Sequence, residues 1–255
     1  MSKVTINHNI KPESQRLSIY TKKLCQTFSF THAVEIMYQG VTGKTLELDE
    51  PLVCEYAQLT TGYKPDARRG VLWLDLWQCY KDNHIPGSDF VFIRDVRRIT
   101  TLDEATGLLR AGKPLYAEAR GHTTFKVEGY HYFYDENQLD VKVNKFQGQS
   151  SGAHAMLIDG YDYMSKNFLA MNWNDQYPRA TIESENMGEY LTLYTFNLDI
   201  MPFTDMRGRS EEEIQAVQWM KDQGITKGFD DGTFRPDDNL TRGQYALIKY
   251  REANR

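Results

Sequence analysis

The sequence predicts an α+β fold, in which a helical half precedes a β-rich half and a small second module follows. Apolar residues recur at helical spacing up to about residue 112, and short β-like runs begin at Pro114. Near residue 202 the aromatic, strand-like sequence gives way to a highly charged segment. We therefore expect one domain over residues 1–202, with a ligand cleft between its two halves, and a second domain over residues 203–255.

The composition is that of an ordinary globular protein. Of the 255 residues, 40% are hydrophobic and 25% are charged, which suffices for a buried core and a solvated surface. The net charge of -5 leaves no basic patch of the kind that binds phosphate backbones, so we expect no nucleic-acid partner. No run approaches the ~18 apolar residues of a membrane span, and the start of the chain has no apolar signal-peptide core. We expect no membrane span and no conventional export signal.

Three helices and four strands are predicted in the first domain. The first helix begins at or just before Cys25 and ends at Gly40, because apolar residues recur at helical spacing between them. A second helix covers residues 72–80, and a third opens at a capping box over residues 101–104 and ends before Gly112. The predicted strands are 115–119, 155–158, 168–171 and 190–196.

Three cysteines, Cys25, Cys54 and Cys79, form at most one disulfide and leave one thiol over. Such a thiol is either a small buried hydrophobic group or a nucleophile, and its sequence context decides between them. Cys25 lies at a predicted helix start, where the helix dipole and the free N–H groups favour a thiolate. Cysteine catalysis further needs an imidazole that protonates the leaving amine and a polar side chain that orients the ring.

Three segments resemble the papain and cathepsin family, in the family's order. Residues 25–30 resemble its nucleophile segment, from which Gln26 departs. Residues 152–161 are similar to its histidine strand, which has one residue fewer, and residues 168–173 resemble the strand that carries its orienting asparagine. Weaker similarities to the family, including a turn at residues 48–54, extend over nearly all of residues 12–200.

The resemblance implies a cysteine peptidase with a helical lobe and an antiparallel β lobe, and we expect no cofactor and no metal. It makes Cys25 the nucleophile, His154 its acid and base, and Asn172 the group that orients the imidazole. The two partners follow the cysteine by 129 and 147 residues (154 − 25 and 172 − 25), in agreement with the ~130–150 of this family. The family's oxyanion-hole glutamine lies six residues before the cysteine, where this chain has Ile19. Gln15 takes this role if the intervening loop is longer.

The same resemblance implies a peptide or protein substrate. The residues that it assigns to substrate binding are Arg69, Gly70, Trp173 and Ala153. Arg69 replaces a glycine of the family, and it either obstructs the edge on which a peptide would lie or contacts an acidic group of the substrate. Cys79 does not fall where the family's partner of Cys54 would be. We expect both cysteines to be buried, unreactive and outside any disulfide, and we expect the remaining histidines, His8 among them, to be surface or packing residues.

Residues 203–255 have a different signature. An amphipathic helix through Val217 precedes a long loop over residues 224–236, and a second helix starts after Thr241. Gly232 permits a turn with positive φ, Phe234 anchors the loop, and Thr241 caps the final helix. This order of elements resembles one S-layer homology repeat.

That resemblance implies binding of anionic cell-wall polysaccharide or peptidoglycan. The residues assigned to this role are Arg242, Asp231 and Gly232, since a guanidinium donates to carboxylate or phosphate groups in a planar fork. A calcium loop built on the neighbouring aspartates fails the alternating spacing that such loops require. Alternatively the single repeat is a folding or assembly element, because members of the family usually carry three repeats, and a homotrimer would supply them.

Together the two resemblances predict a peptidase at a bacterial cell envelope. It is either an extracellular surface enzyme or a phage protein that meets the envelope as part of the virion. The alternative is a catalytically degenerate papain-fold protein that serves as an envelope-binding or virion structural protein, as the departures at Ile19, Gln26 and Arg69 suggest.

Overall fold

The computed structural model describes most of the chain. The described ranges are 2–10, 24–66, 70–88, 90–120, 125–127, 130–133, 141–143, 153–171, 179–188 and 191–254. Within these ranges the backbone alone is described at residues 120, 125–127, 130–133, 141–143, 153 and 154. In this part of the chain, no helix combines the length and the apolar character needed to cross a membrane.

The described residues form helices and strands in a mixed order. The helices are α1 (Cys25–Thr42), α2 (Glu50–Thr60), α3 (Trp73–Asp82), α4 (Leu102–Arg110), α5 (Glu211–Asp222) and α6 (Arg242–Ala253). The strands are β1 (Lys3–Thr5), β2 (Val91–Ile99), β3 (Leu115–Arg120), β4 (Phe125–Val127), β5 (Tyr130–Phe133), β6 (Val141–Val143), β7 (Ala153–Asp162), β8 (Asn167–Met171), β9 (Arg179–Glu183) and β10 (Leu191–Ile200). The predicted α+β class is confirmed.

The strands form one antiparallel sheet in the order β2-β10-β3-β7-β8-β9-β4-β5-β6, and β1 pairs with the end of β7. The four predicted strands are present, but the prediction that strands begin only at Pro114 is wrong, because β2 precedes α4. Only the first three residues of β2 are consecutively buried, and charged, exposed side chains follow from Arg94. A strand with this pattern has neither the regular alternation nor the continuous apolar run by which strands are recognised.

Helix α1 is the central helix of the first domain, and most of its residues are buried. Its start at Cys25 is as predicted, but it does not end at Gly40. It continues to Thr42, and Gly43 terminates it with a left-handed φ of 69° and an N–H that donates to the Gln39 carbonyl at 2.8 Å. The exposed Gly40 remains helical, because the packing of the preceding buried residues of α1, which extend to Tyr38, outweighs the low helix propensity of a single glycine.

Helix α2 was not predicted, and the segment that resembles a family turn is the start of this helix. Asp49 caps it by accepting a hydrogen bond from the Leu52 N–H at 2.9 Å, and Pro51 lies in the first turn. The buried Glu50 carboxylate accepts from the Thr31 hydroxyl at 3.1 Å, which fixes α2 against α1. The second and third predicted helices correspond to α3 and α4, which are shifted by only one or two residues.

The sheet has a buried cluster on each of its two faces. The first cluster joins Cys25 and the other inward residues of α1 to Tyr116, Ala155, Leu157 and Met171 of the sheet. Alternate positions of β3 and β7 belong to the second cluster, which packs on α4. Cys25 therefore faces the first cluster, between α1 and the sheet.

A third cluster joins the C-terminal residues to β2. Its members are Phe92, Met201, Phe203, Met206 and Val217. Because this cluster includes residues on both sides of residue 202, the C-terminal module packs directly on the edge of the sheet. The boundary between residues 202 and 203 stays a prediction.

Candidate functional site

Cys25 is the first residue of α1, and the residue is 8% exposed. The preceding residue, Leu24, has no side-chain acceptor that could cap the first N–H groups, and the first turn contains no acidic residue. The positive end of the helix dipole therefore acts on the thiol without a competing anion in the same turn. This local arrangement favours a thiolate, as the sequence predicts.

His154 lies on β7, the strand that packs against α1. Its Cα is opposite Ala119 of β3, and its neighbour Ala155 belongs to the same buried cluster as Cys25. The structure thus brings the backbone that carries His154 and Ala153 to the helix that carries the cysteine. The ring of His154 lies outside the described side chains, so its distance from the sulfur stays a prediction.

The structure describes only some of the other residues that are predicted to line the cleft. Asn172 directly follows Met171, which is buried in the cluster of Cys25. Four of the predicted residues fall outside the described residues, namely Gln15, Arg69, Asn172 and Trp173. Their roles in the oxyanion hole, in orientation of the imidazole and in substrate binding stay predictions.

Gly70 is buried and has a left-handed φ of 66°, a conformation that favours glycine. Its carbonyl accepts from the Gln58 amide at 2.5 Å, and the oxygen of the same amide accepts from the Asp66 N–H at 2.7 Å. One buried side chain of α2 therefore holds both ends of the loop that carries the predicted substrate-binding stretch. No feature of the sequence around Gln58 indicated this role.

Cys54 and Cys79 are buried, and none of the three cysteines is in a disulfide. Burial raises the pKa of the Cys54 thiol to about 11 and also raises the pKa of Cys79. Both therefore remain thiols near neutral pH. This agrees with the prediction that they are unreactive.

The additional residue of the histidine strand is accommodated by a β-bulge. The register of β7 against β8 shifts between Ile158 and Gly160, so that Asp159 is the bulged residue. At Gly160 a Cβ atom would lie 2.7 Å from the carbonyl oxygen of Val4, so this glycine permits the close approach of β1. The inserted residue is thus the one that carries the Asp159 carboxylate, and it lies directly before Gly160, where β1 pairs with β7.

The Asp159 carboxylate is buried and bound by two basic side chains. Arg179 donates to both of its oxygens, at 2.6 and 2.8 Å, and the His8 Nε2 lies 3.1 Å from it. Burial by itself would raise the pKa of Asp159, but the hydrogen bonds from His8 and Arg179 outweigh it and lower the pKa below its usual value. His8 therefore contacts a buried carboxylate, which the sequence did not indicate.

In the C-terminal module, Gly232 and Asp231 hold the long loop. Gly232 has a φ of 79°, as predicted, and its carbonyl accepts from the Thr204 N–H at 3.0 Å. The Asp231 carboxylate accepts from the Thr233 N–H at 3.0 Å and pairs with Arg235 at 2.8 Å. These contacts give both residues a structural role within the loop.

Two further predictions for this module are confirmed. Phe234 anchors the loop by stacking on Phe203, with ring centroids 5.7 Å apart. Thr241 caps α6 through a capping box with Gln244, at 3.2 and 2.9 Å. Arg242 is the first residue of α6 and is exposed, and within the described part of the chain its guanidinium has no hydrogen-bonding partner.

Comparisons with known proteins agree with both resemblances. Residues 202–246 match the family model of the S-layer homology domain. Among solved structures, the chain is similar to xylellain, a cysteine protease from Xylella fastidiosa, with a TM-score of 0.56 and 11% sequence identity over 77% of this chain and 86% of that chain. No curated protein matches the chain. The chain therefore has the fold of a papain-like cysteine protease and carries a segment, residues 202–246, that matches the S-layer homology domain.

Proposed function

We propose that the protein is a cysteine peptidase that its C-terminal module places at a bacterial cell envelope. The observation that carries the proposal is the position of Cys25 at the N-terminus of α1, packed against the strand that bears His154, in a fold shared with a cysteine protease. The other two cysteines are buried and have raised pKa values, which leaves Cys25 as the candidate nucleophile.

The proposed reaction is a two-step acyl transfer. The Cys25 thiolate attacks the substrate carbonyl carbon, and His154 protonates the amine that leaves as the peptide bond breaks. Water, deprotonated by the same imidazole, then releases the acyl group and regenerates the thiol. Asn172 orients the ring, and Gln15 together with the Cys25 N–H stabilises the oxyanion.

The proposed substrate is a peptide or protein that lies along the stretch around Gly70. Its path is bounded by the residues that the resemblance assigns to substrate binding, Arg69, Gly70, Ala153 and Trp173. The hydrogen bonds of Gln58 preorganise this edge, since they fix the Gly70 carbonyl before a substrate arrives. A fixed edge reduces the ordering cost of binding an extended peptide.

Selective alkylation tests the enzyme proposal. At neutral pH, iodoacetamide is expected to modify Cys25 and to leave Cys54 and Cys79 unmodified in the folded protein, because only Cys25 has a helix N-terminus to stabilise its thiolate. Mass spectrometry of the three cysteine peptides measures this, and a peptide library incubated at pH values around neutrality measures cleavage. Equal labelling of all three cysteines with no cleavage would favour the degenerate, structural alternative.

We further propose that residues 203–255 bind anionic cell-wall polymer through Arg242, which gives an extracellular, envelope-associated or virion location. A guanidinium that has no hydrogen-bonding partner among the described residues, at an exposed helix start, is available to a carboxylate or phosphate group. Helix α6 contributes no buried residue, and Tyr245, Leu247 and Tyr250 on it are exposed. This surface supports the proposed homotrimer, in which neighbouring copies would cover it.

Sedimentation with purified cell walls tests this part of the proposal. Arg242→Ala is expected to weaken wall binding by at least about tenfold, since one charge-assisted bidentate contact contributes on the order of 1.5–3 kcal/mol. Lys249→Ala is the matched control, because it removes one positive charge from the same exposed helix. Equal retention of wild type and Arg242→Ala would count against binding through this residue.

A further inference from the structure

Gln58 is a buried glutamine of α2 whose amide is hydrogen-bonded to the backbone of one loop. The residue is 4% exposed. Its Nε2 donates to the Gly70 carbonyl at 2.5 Å and to the Asp66 carbonyl at 3.0 Å, and its Oε1 accepts from the Asp66 N–H at 2.7 Å. Two carbonyls and one N–H fix the orientation of the amide, because backbone donors and acceptors are unambiguous. Both amide hydrogens and the amide oxygen therefore serve to join the two ends of residues 66–70.

The loop that Gln58 holds is connected to the buried cluster of the candidate nucleophile. Three residues after Gly70, the Trp73 ring stacks on Tyr116 of β3, with ring centroids 4.1 Å apart. Trp73 and Tyr116 belong to the buried cluster that includes Cys25. The stretch that begins at Gly70 is thus fixed to α2 at one end and to the cluster of Cys25 at the other.

A loop that binds an extended peptide is ordered either before the peptide arrives or while it binds, and ordering during binding lowers the affinity. Residues 66 and 70–72 lie outside the helices and strands, so hydrogen bonds from elsewhere have to supply this order. We propose that Gln58 is a positioning residue for substrate binding, which holds the substrate-binding stretch in its bound shape by donating to the Gly70 and Asp66 carbonyls. This inference rests on the proposed function, since the substrate-binding role of Gly70 is part of it.

The proposed role requires an amide, because the loop presents two acceptors and one donor to the side chain at position 58. A glutamate side chain has the same length, but as a carboxylate it accepts from the Asp66 N–H and donates to neither carbonyl. It also places a negative charge against two carbonyl oxygens in a buried site, which raises the pKa of the introduced carboxyl group above its ordinary value of about 4.3. When protonated, that group regains one donor. The variant Gln58→Glu should therefore be defective at high pH and partly restored at low pH.

Peptide cleavage by wild type and Gln58→Glu at about pH 8 and about pH 5 tests this role. At the higher pH we expect KM for the best peptide of the library to rise about tenfold with kcat within about twofold of wild type, because lost preorganisation weakens the ground state and the transition state equally. At the lower pH the ratio of the two KM values should fall to about threefold or less. Gln58→Met, which is similar in size and has no donor, should keep the raised ratio at both pH values. Circular dichroism gives the folded fraction of each variant.

Tyr80→Phe is the matched control. It removes another buried hydrogen bond of the same helices, in which the Tyr80 hydroxyl of α3 donates to the Val53 carbonyl of α2 at 2.5 Å. This variant should lower the melting temperature and leave KM unchanged. An unchanged KM in Gln58→Glu at the higher pH, or a KM ratio that is the same at both pH values, would overturn the inference and leave the peptidase proposal standing. Absence of cleavage by wild type would instead overturn the peptidase proposal, and this inference with it.

Discussion

Replacing Cys25 with alanine is expected to lower peptide cleavage by at least about 10⁴-fold, to the level of the background. Alanine keeps the helix start and the buried packing of α1 but removes the sulfur that forms the acyl intermediate. The measurement is kcat/KM on the best peptide from the library, with the folded fraction of each variant determined by circular dichroism. Cleavage that survives the substitution would show that another group carries the reaction.

Cys54→Ala is the matched control for this experiment. It also replaces a buried cysteine in the same hydrophobic cluster, so it has the same kind of packing loss as Cys25→Ala. Because burial keeps the Cys54 thiol protonated, its removal should leave cleavage per folded molecule unchanged. A comparable loss of cleavage in both variants would indicate that disturbed packing, and not the missing nucleophile, explains the result.

Replacing Arg179 with methionine is expected to lower the free energy of unfolding by about 2–3 kcal/mol at neutral pH. The Asp159 carboxylate is 5% exposed in wild type, and among the described residues the substitution leaves the His8 imidazole, 3.1 Å away, as its side-chain partner. The value lies below the ~3–5 kcal/mol of broken buried pairs because the Arg179 side chain is itself 47% exposed. Urea unfolding of wild type and variant measures the difference, and Arg98→Met, at an exposed arginine that donates to the Gly188 carbonyl, is the control.

The difference in the free energy of unfolding between wild type and Arg179→Met should depend on pH. In wild type, the pKa of Asp159 is lower in the folded state than in the unfolded state, so the carboxylate stabilises the fold above about pH 4 and this contribution is lost as the pH falls further. In Arg179→Met the hydrogen bonds and the positive charge of the guanidinium are gone while the His8 contact remains, so the folded-state pKa of Asp159 is higher than in wild type. The stability difference between the two proteins should therefore narrow as the pH falls from about 5 toward 3. If the difference in the free energy of unfolding stays constant over this pH range, the pair between Arg179 and Asp159 is not its source.

The features predicted correctly from the sequence are those fixed by local chemistry. The start of α1 at Cys25 follows from helical spacing, and the turn at Gly232 and the cap at Thr241 follow from residue types that few other conformations accommodate. Strands β3, β7, β8 and β10 were likewise readable, because each contains a short apolar run, whereas the other described strands after Pro114, which lack such a run, were not predicted.

The features missed depend on contacts between distant residues. Helix α2 is held by Glu50 against a residue 19 positions earlier, and β2 is a strand only because β10 pairs with it. The extra residue in the histidine strand was visible in the sequence, but its bulge and its binding of Arg179 required the neighbouring strands.

The third buried cluster has a further consequence for how the protein would work at a surface. Phe203 and Val217 of the C-terminal module share a core with Phe92 of β2, and Lys221 donates to the Pro202 carbonyl at 2.9 Å beside them. The module is thus mounted on the body of the molecule and not suspended from a flexible tether. A copy held on a wall by α6 would present its cleft in one fixed direction and at one fixed height, and only bonds within that narrow zone would be within its reach.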